Sequence, residues 1–311
     1  MFERRDAVDP RGMRLTEKPI RRIERAVRLD GVAGSARDLV HRLLRRRRLK
    51  DALHGVWLGH PLHPALAQLA LGSLLSASLI DLCGGRRRDS SRLIVVGLLA
   101  TGPTAAAGWA DFADGHEEQQ RVGLVHAALN ATAVGCYVGA LGARARRSGR
   151  GRGRSVAGGV LAGTAAALGG HLSFRMASGA NHAEEVQHIG PENWQPVGPV
   201  AELPLDQPVR RLIGEVPAFV LRRSVRDEGG ETMVVLSDRC PHLSAPLHEG
   251  ELSSVDCQPQ VTCPWHGSVF RVSDGEVVHG PATAPVPRFD TRVRNGLLEA
   301  KVRTLPGVSA S

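Results

Sequence analysis

Four long apolar segments constrain the fold of this chain more than any other feature. They cover residues 65–83, 93–110, 122–143 and 156–174, with lengths of 19, 18, 22 and 19 residues. A helix needs about 20 residues to cross the roughly 30 Å hydrocarbon core of a bilayer, so each segment is long enough to span one. The alternative, four buried helices of a soluble bundle, is disfavoured because too little chain remains to cover them. We therefore predict a four-helix transmembrane bundle.

Glycines within these segments predict close packing between the helices. Gly135 and Gly139 are four residues apart, as are Gly159 and Gly163. Small residues at this spacing lie on one face of a helix and let a neighbouring backbone approach. We therefore expect a compact bundle with close contacts at these four positions.

The charge of the chain is unevenly distributed. Its 311 residues include 40 Lys and Arg against 31 Asp and Glu, a net charge of +9. Residues 193–311 contain 12 basic and 14 acidic residues, so the positive excess lies in the part before residue 193. The length and this asymmetry predict two domains with a boundary near residue 190. Five cysteines are too few for a disulfide-built secreted scaffold.

The strongly basic N-terminal region predicts contact with a membrane surface. The first 50 residues include 16 Arg and Lys, and their apolar residues recur three or four apart. This pattern is typical of basic amphipathic helices on an anionic lipid surface, with a solvated arm as the alternative. The first 50 residues lack the apolar core of a cleavable signal peptide, so none is expected. Nucleic-acid binding is disfavoured because no aromatic stacking platform accompanies the charge.

The apolar pattern changes from helical to strand-like after residue 192. Short β-rich runs are separated by turn signals such as Asp274-Gly275 and Asn295-Gly296. The predicted fold is multi-domain, an all-α four-helix transmembrane bundle followed by a small all-β domain. Its predicted parts are a basic amphipathic arm (1–55), the transmembrane domain (56–175), a linker (176–192), the β domain (193–304) and a tail (305–311).

Two cysteine-histidine pairs in the β domain carry the strongest chemical signal. Cys240 and His242 have C-x-H spacing, Cys263 and His266 have C-x-x-H spacing, and 20 residues separate the pairs. Thiolates and imidazoles are metal ligands, and four of them would also suit a tetrahedral zinc ion. The spacing and the following residues 267–270 (GSVF) resemble the Rieske iron–sulfur family. The resemblance covers nearly all of residues 193–303, including 194–197 (WQPV), 249–252 (EGEL) and 280–282 (GPA).

The resemblance implies a [2Fe-2S] cluster in an all-β Rieske iron–sulfur domain. Cys240 and Cys263 would bind one iron, His242 and His266 would bind the other, and Ser268 would donate a hydrogen bond to a bridging sulfide. Neutral imidazoles in place of two thiolates raise the reduction potential, to about −150 to +300 mV against about −400 mV for plant-type ferredoxins. The second ring nitrogen of each histidine would couple redox change to protonation.

Differences from the family pattern indicate which branch of the Rieske family the chain resembles. High-potential Rieske proteins of respiratory complexes carry two further cysteines in a bracing disulfide, whereas Ala245 and Trp265 stand nearest to those positions here. The chain therefore resembles the ferredoxin and oxygenase branch, which implies a mid-range to low potential. We expect Cys257 to be a spare, half-buried cysteine, with a fifth ligand or a redox thiol as the alternatives.

A second group of ionisable residues is expected at one face of the bundle. Alternating helix directions place five such residues on the side that carries the β domain: His60, His63, Asp111, His126 and His171. Ionisable groups at membrane depth often mark a cofactor or a pathway. Residues 59–64 (GHPLHP) resemble an uncharacterised four-helix membrane family that often precedes soluble redox domains. The hypotheses are a haem, a quinone, or a bundle that only anchors the chain, its histidines binding loops and headgroups.

These features predict a membrane-anchored Rieske protein that carries single electrons, a redox component rather than a self-sufficient enzyme. Only 45 residues follow His266, too few for the catalytic iron domain of a terminal oxygenase. The alternatives are a ferredoxin component of an oxygenase system, a non-catalytic redox sensor and a structural zinc domain. The expected partners are membrane lipid and unidentified donor and acceptor proteins or quinone, with no nucleic acid.

The expected location is the plasma membrane, and two sequence signals disagree on the side of the Rieske domain. The Arg-rich connections after the first and third helices place those connections in the cytoplasm and the domain outside. The basic N-terminal arm argues the reverse, and the missing disulfide favours the reducing cytoplasm. We therefore predict a cytoplasmic Rieske domain.

Overall fold

The computed structural model describes residues 17–147, 149–224 and 230–303, which form two compact units that are discontinuous in sequence. The first unit takes its described residues from Met1–Leu43, Ala67–Pro103 and Gly115–Ser178. The second takes them from Leu44–Leu66, Thr104–Asp114 and Gly179–Ser311. The predicted tail and the first 16 residues of the predicted arm lie outside the described residues.

Helices make up the described residues before the β domain. They are α1 (Glu17–Glu24), α2 (Asp30–Leu43), α3 (Arg47–His54), α4 (Leu62–Leu82), α5 (Arg87–Ala113), α6 (Glu117–Ala145), α7 (Gly151–Phe174) and the short α8 (Val186–Ile189). In the part of the chain that the structure describes, α4 to α7 are long and apolar enough to cross a membrane. A helical region with four candidate membrane spans is therefore confirmed.

The core of the first unit joins α4, α5, α6 and α7 around one buried tyrosine. Tyr137 is fully buried and donates a hydrogen bond to the carbonyl of Leu74 at 3.0 Å. Its hydroxyl also lies 2.8 Å from the hydroxyl of Ser78, which bonds to the carbonyl of Ser155. These bonds satisfy polar groups that are buried in the core, and they join three helices.

Close packing occurs at different glycines from most of those predicted. A side chain at Gly159 would lie 2.6 Å from Ser78, so this position does need a glycine. The prediction is wrong for Gly135 and Gly163, where a side chain would meet nothing within 4 Å. The spacing argument missed Gly97, where an added Cβ would lie 2.5 Å from the side chain of Leu74. A four-residue spacing alone does not show which helix face has a neighbour.

An ion pair and a hydrogen bond tie the basic helices α1 and α2 to α6 and α7 within the first unit. Arg121 on α6 donates to both carboxylate oxygens of Asp30, at 2.6 and 2.9 Å. On α7, His171 Nε2 lies 2.7 Å from the carboxylate of Glu24. The arm is therefore packed on the bundle over these residues, rather than extended into solvent.

The turn after α3 needs a glycine. Gly55 adopts a left-handed conformation with φ of 85°, and a Cβ there would lie 2.3 Å from the carbonyl oxygen of His60. Glycine is the residue that reaches this conformation without a steric penalty. The turn ends α3 and leads the chain into α4.

The second unit contains three antiparallel sheets. Its strands are β1 (Gln195–Pro199), β2 (Pro208–Ile213), β3 (Val216–Ser224), β4 (Glu231–Ser237), β5 (Glu251–Val255), β6 (Gln258–Thr262), β7 (Val269–Arg271), β8 (Val277–His279), β9 (Phe289–Arg294) and β10 (Leu297–Val302). The sheet orders are β1-β10-β9, β2-β3-β4 and β5-β6-β7-β8. One apolar core includes Val220 and Leu298, and a second includes Phe219 and Phe270. This confirms the small all-β domain.

The residues predicted as a linker are packed against the β domain. Val186 on α8 is 1% exposed and belongs to the same apolar core as Leu298. The backbone N–H of His182 donates to the carbonyl of Pro241 at 2.9 Å. Residues 179–192 therefore belong to the second unit and are not a free tether.

Candidate metal centre

Two short loops present the cysteine-histidine pairs, and their backbones are held in the same way. In the loop between β4 and β5, Cys240 N–H donates to the carbonyl of Ala245 at 2.9 Å, and Ser244 N–H donates to the carbonyl of Cys240 at 2.8 Å. Ser244 has a φ of 64°, a conformation that a serine seldom adopts. This loop is a tight turn that starts at Cys240 and is closed by its hydrogen bonds with Ser244 and Ala245.

The loop between β6 and β7 repeats this pattern with glycine at the strained position. Cys263 N–H donates to the carbonyl of Ser268 at 2.8 Å, and Gly267 N–H donates to the carbonyl of Cys263 at 3.2 Å. Gly267 has a φ of 73°. Both loops therefore bond the cysteine to the residues four and five positions later, although the histidine stands two positions after one cysteine and three after the other.

The two cysteine sulfurs lie side by side in a buried site. Cys240 is 1% exposed and Cys263 is 3% exposed. The hydrogen bond that the Cys240 thiol donates lowers the pKa of Cys263 to about 7. The same bond, together with burial, raises the pKa of Cys240. The contact therefore favours the thiolate form of Cys263, and thiolate is the form of cysteine that binds iron.

Backbone N–H groups surround both sulfurs. Those of His242 and Leu243 donate to Cys240 Sγ, and those of Trp265 and His266 donate to Cys263 Sγ. Donors at the same two positions after each cysteine stabilise negative charge on sulfur. This local backbone arrangement supplies compensation for burying two thiolates.

The two histidine rings lie together on the more exposed side of the site. Their centroids are 4.9 Å apart and the planes cross at 85°. Burial is the largest influence on His242 and, with the nearby His266, lowers its pKa to about 3, so its imidazole is neutral. Neutral imidazole is the form that binds metal.

The donor set fits a binuclear cluster with two protein ligands on each metal. The sulfurs form one buried pair, and the imidazoles form a second, partly exposed pair. Over residues 17–147, 149–224 and 230–303, no three His, Cys, Asp or Glu side chains gather as ligands of a single ion would. Two pairs are what a [2Fe-2S] centre of the Rieske type needs.

Similar proteins agree with this geometry. Residues 193–290 match the family described as Rieske [2Fe-2S] domain, and residues 59–185 match the family described as predicted membrane protein (DUF2231). The anthranilate 1,2-dioxygenase ferredoxin subunit of Burkholderia cepacia is 30% identical over 109 residues, which are 35% of this chain and 92% of that protein. The chain belongs to the Rieske [2Fe-2S] family.

Further relatives of this Rieske protein are also ferredoxins. Ferredoxin CarAc of Metapseudomonas resinovorans is 31% identical over 90 residues, which are 28% of this chain and 75% of that protein. A solved complex of reduced oxygenase and oxidized ferredoxin in carbazole 1,9a-dioxygenase is 25% identical, with a TM-score of 0.30, and covers 37% of this chain and 97% of that chain. The two family matches confirm the recognition of a Rieske domain that follows a predicted membrane protein domain.

Ser268 and Cys257, which the sequence analysis also singled out, differ in burial. Ser268 is fully buried, and its Oγ accepts a hydrogen bond from Ala282 N–H at 2.9 Å. Its hydroxyl hydrogen is then available to donate, as the proposed bond to sulfide requires. Cys257 is exposed and lies in a turn with a φ of 61°, so the expectation that it is half-buried is wrong.

The five ionisable residues predicted at the bundle face have separate local partners. His60 is exposed and bonds to the carbonyl of Pro61, and His63 Nδ1 donates to the carbonyl of Thr104 at 2.9 Å. Asp111 accepts a hydrogen bond from His54 at 2.9 Å. These three residues belong to the second unit.

The other two, His126 and His171, belong to the first unit. His126 Nδ1 donates to the carbonyl of Ala165 at 2.8 Å, and its Nε2 lies 3.1 Å from the side-chain amide of Asn130. His171 Nε2 bonds to Glu24. Both Nε2 atoms, through which a histidine would bind haem, are therefore engaged, and the comparisons give no support for haem or quinone.

The sequence reasoning missed a buried ionic group next to Asp111. His54 is 1% exposed and its Nε2 lies 3.1 Å from Asp114, which also pairs with Lys50 at 2.8 Å. Burial opposes a charge on His54, but the two neighbouring carboxylates outweigh it and raise its pKa to about 9. Contacts with His54 and Lys50 lower the pKa of Asp114 despite its burial. We name Lys50, His54, Asp111 and Asp114 the α3–α5 ionic group.

The only signal for this group in the sequence was the spacing of two residues. Lys50 and His54 are four apart on a short helix, so they share a face. Nothing in the sequence paired that face with residues 57 or more positions later. Long-range partners of this kind come from the fold and not from a motif.

Proposed function

We propose that this Rieske protein is a membrane-anchored carrier of single electrons, and that Cys240, His242, Cys263 and His266 hold its cluster. The observation that carries the proposal is the pair of matching loops, which place two sulfurs in the core and two imidazoles at the more exposed edge. When bound, a [2Fe-2S] cluster accepts and releases one electron at a time.

Backbone groups, the two imidazoles and one tryptophan around the site support electron transfer. Backbone N–H groups of both loops offset the negative charge of the thiolates. The partly exposed imidazoles offer the shortest route to an external partner, and with a cluster bound the second ring nitrogen of each would couple redox change to protonation. Trp265 is 50% exposed beside His266, with ring centroids 6.3 Å apart, and adds apolar contact area at that edge.

Purified full-length protein tests the proposal. We expect visible absorption and an EPR signal of a reduced Rieske cluster, and both should disappear in Cys240→Ser and Cys263→Ser. Cys257→Ser is the matched control, because this cysteine is exposed and lies in the turn between β5 and β6, outside both cysteine-histidine loops. A protein that contains one zinc and no iron would contradict the proposal.

A ferredoxin component of an oxygenase system is the second candidate. Two relatives that this chain covers over 92% and 75% of their length are named as ferredoxins, and the first is a dioxygenase subunit. This candidate predicts that the protein supports substrate turnover when mixed with a reductase and an oxygenase from such a system. Reduction of the cluster without turnover would favour a general electron carrier, and the role of a redox sensor would require a partner whose binding changes with redox state.

The bundle is proposed to be an anchor in the plasma membrane. Support comes from α4 to α7, which are long and apolar enough to span a bilayer, and from the match to a membrane family. Val32, Leu39 and Leu43 are exposed on one face of α2, which also carries Arg37 and Arg42. An exposed apolar stripe with adjacent basic residues suits an anionic lipid surface.

Two natural cysteines test the proposed cytoplasmic side. Cys83 follows α4, whereas Cys257 lies in the Rieske domain, and both are exposed. Four spans place the end of α4 and the Rieske domain on opposite sides. We expect an impermeant thiol reagent applied to intact cells to label Cys83 and to spare Cys257 until the cells are opened. Labelling of Cys257 alone in intact cells would place the domain outside.

A further inference from the structure

Helix α3 lies outside the residues that match the Rieske family, yet it contacts segments next to the cluster ligands. Arg47 donates a hydrogen bond to the carbonyl of Gly267, the residue after the second ligand histidine, at 3.2 Å. The carboxylate of Asp51 accepts bonds from His279 Nδ1 at 2.8 Å and from the backbone N–H of Gly280 at 3.0 Å. All of these residues belong to the second compact unit.

The segment held by Asp51 is bonded in turn to a ligand loop. Two residues after Gly280, the N–H of Ala282 donates to the buried hydroxyl of Ser268. The carbonyl of Ser268 accepts the hydrogen bond from Cys263 N–H. A continuous series of contacts therefore connects the Asp51 carboxylate to one of the cluster cysteines.

The opposite attachments of α3 keep Asp51 in place. Arg47 and Asp51 are four residues apart and contact the ligand-loop side, whereas Lys50 and His54 are four apart and bind the carboxylates of the α3–α5 ionic group. All five cysteines are free, so noncovalent contacts of this kind hold the loops. The helix is thus fixed on two sides, and its side chains are restrained where they meet the loops.

We propose that α3 is a positioning element of the cluster site, in which Asp51 and Arg47 set the geometry of Ser268 and of the Cys263 loop. The proposal rests on the proposed function, because it concerns the properties of a bound cluster. Hydrogen bonds around an iron–sulfur cluster tune its potential and its electronic structure. A residue that fixes the donor loop therefore changes both properties without touching the cluster.

The test compares Asp51→Ala with Ser268→Ala in full-length protein by EPR and redox titration at one pH. We expect Asp51→Ala to shift the g-values and to lower the midpoint potential, in the same direction as Ser268→Ala. In the double variant the potential should fall no further than in Ser268→Ala alone, because Asp51 acts through Ser268. Arg47→Ala should shift the g-values by a smaller amount.

Three outcomes would overturn the proposal. Wild-type g-values and potential in Asp51→Ala would mean that α3 only packs on the domain. A raised potential with unchanged g-values would mean that Asp51 acts through its negative charge alone. Additive shifts in the double variant would mean that Asp51 does not act through Ser268.

Controls separate this inference from the proposed function. Asp290→Ala removes a carboxylate that pairs with Arg303 on the β1-β10-β9 sheet, and it should leave the g-values and the potential unchanged. If Asp51→Ala loses its cluster, Asp51→Asn is measured instead, and an unchanged or raised potential there would overturn the proposal. A wild-type protein without a cluster refutes the proposed function itself, whereas a wild-type cluster that is indifferent to Asp51 refutes only this inference.

Discussion

The cluster loops and the α3–α5 ionic group both bury polar side chains in the second unit, but they compensate the cost of burial differently. The loops use backbone N–H groups within three residues of each cysteine, and their four side chains are the proposed ligands of a metal centre. The ionic group contains its own counter-charges, with His54 and Lys50 against Asp111 and Asp114. The first site is therefore local and depends on a cofactor, whereas the second is long-range and complete without one.

The largest expected effect is loss of the cluster, which should leave the α3–α5 ionic group intact. Cys240→Ser and Cys263→Ser should abolish the visible absorption and the EPR signal, because the thiolates bind iron directly. The α3–α5 ionic group should survive in these variants, since no metal holds it together. Slow hydrogen exchange of the α3 amides, measured by mass spectrometry, would show that it does. Rapid exchange in α3 after cluster loss would contradict this independence.

The next effect is expected from breaking the ionic group. Asp114→Ala removes the carboxylate that Lys50 and His54 share and leaves the buried His54 with Asp111 alone. Because that partner remains, the loss should lie at or below the lower end of the about 3 to 5 kcal/mol that breaking a buried pair costs. Thermal unfolding of the second unit, followed by the visible circular dichroism of the cluster, would measure the loss. Asp290→Ala removes a more exposed carboxylate paired with Arg303 and should cost about 1 kcal/mol or less. Equal losses in the two variants would contradict the buried pairing.

The ionic group should also make stability depend on pH. The pKa of His54 rises from 6.5 to about 9 on folding, so its contribution is fully present below pH 6.5 and is lost as the pH rises through 9. This shift corresponds to about 3 kcal/mol. Hydrogen exchange of α3, corrected for the intrinsic rate, should accelerate above pH 9 in the wild type. The same pH dependence in His54→Gln would contradict the assignment.

A smaller effect is expected within the cluster site. Ser268→Ala keeps all four ligands but removes the hydroxyl that is available to donate to the cluster. A hydrogen bond of about 1 kcal/mol corresponds to about 40 mV for one electron, so the midpoint potential should fall by roughly that amount. Redox titration measures the shift, and an unchanged potential would mean that the hydroxyl points elsewhere.

The same difference between local and long-range contacts explains what the sequence could predict. The four proposed ligands could be named from the sequence because each cysteine and its histidine lie within four residues. The apolar helices could be predicted because length and hydropathy are local properties. The left-handed Ser244 gave no signal, since serine rarely adopts that conformation. The pairing of Asp51 with Gly280, 229 residues away, depends on tertiary structure alone.

The sequence also did not reveal which residues pack against each other within the bundle. Gly135 and Gly159 carry the same spacing signal, yet only Gly159 meets a neighbour, because the position of Ser78 decides it. His126 and His171 were grouped by the direction of their helices. Their contacts with Ala165 and Glu24 depend on how individual helices pack in the first unit. The predicted site that joins all five bundle residues stays a prediction.

Pulsed EPR of the reduced full-length protein, combined with metal analysis, tests the central claim most directly. The account predicts iron in the proportion that a [2Fe-2S] cluster requires, with couplings to two inequivalent histidine nitrogens that are lost in His242→Ala and His266→Ala. Zinc in place of iron, or a reduced cluster that shows no nitrogen coupling, would contradict the assignment of His242 and His266 as ligands.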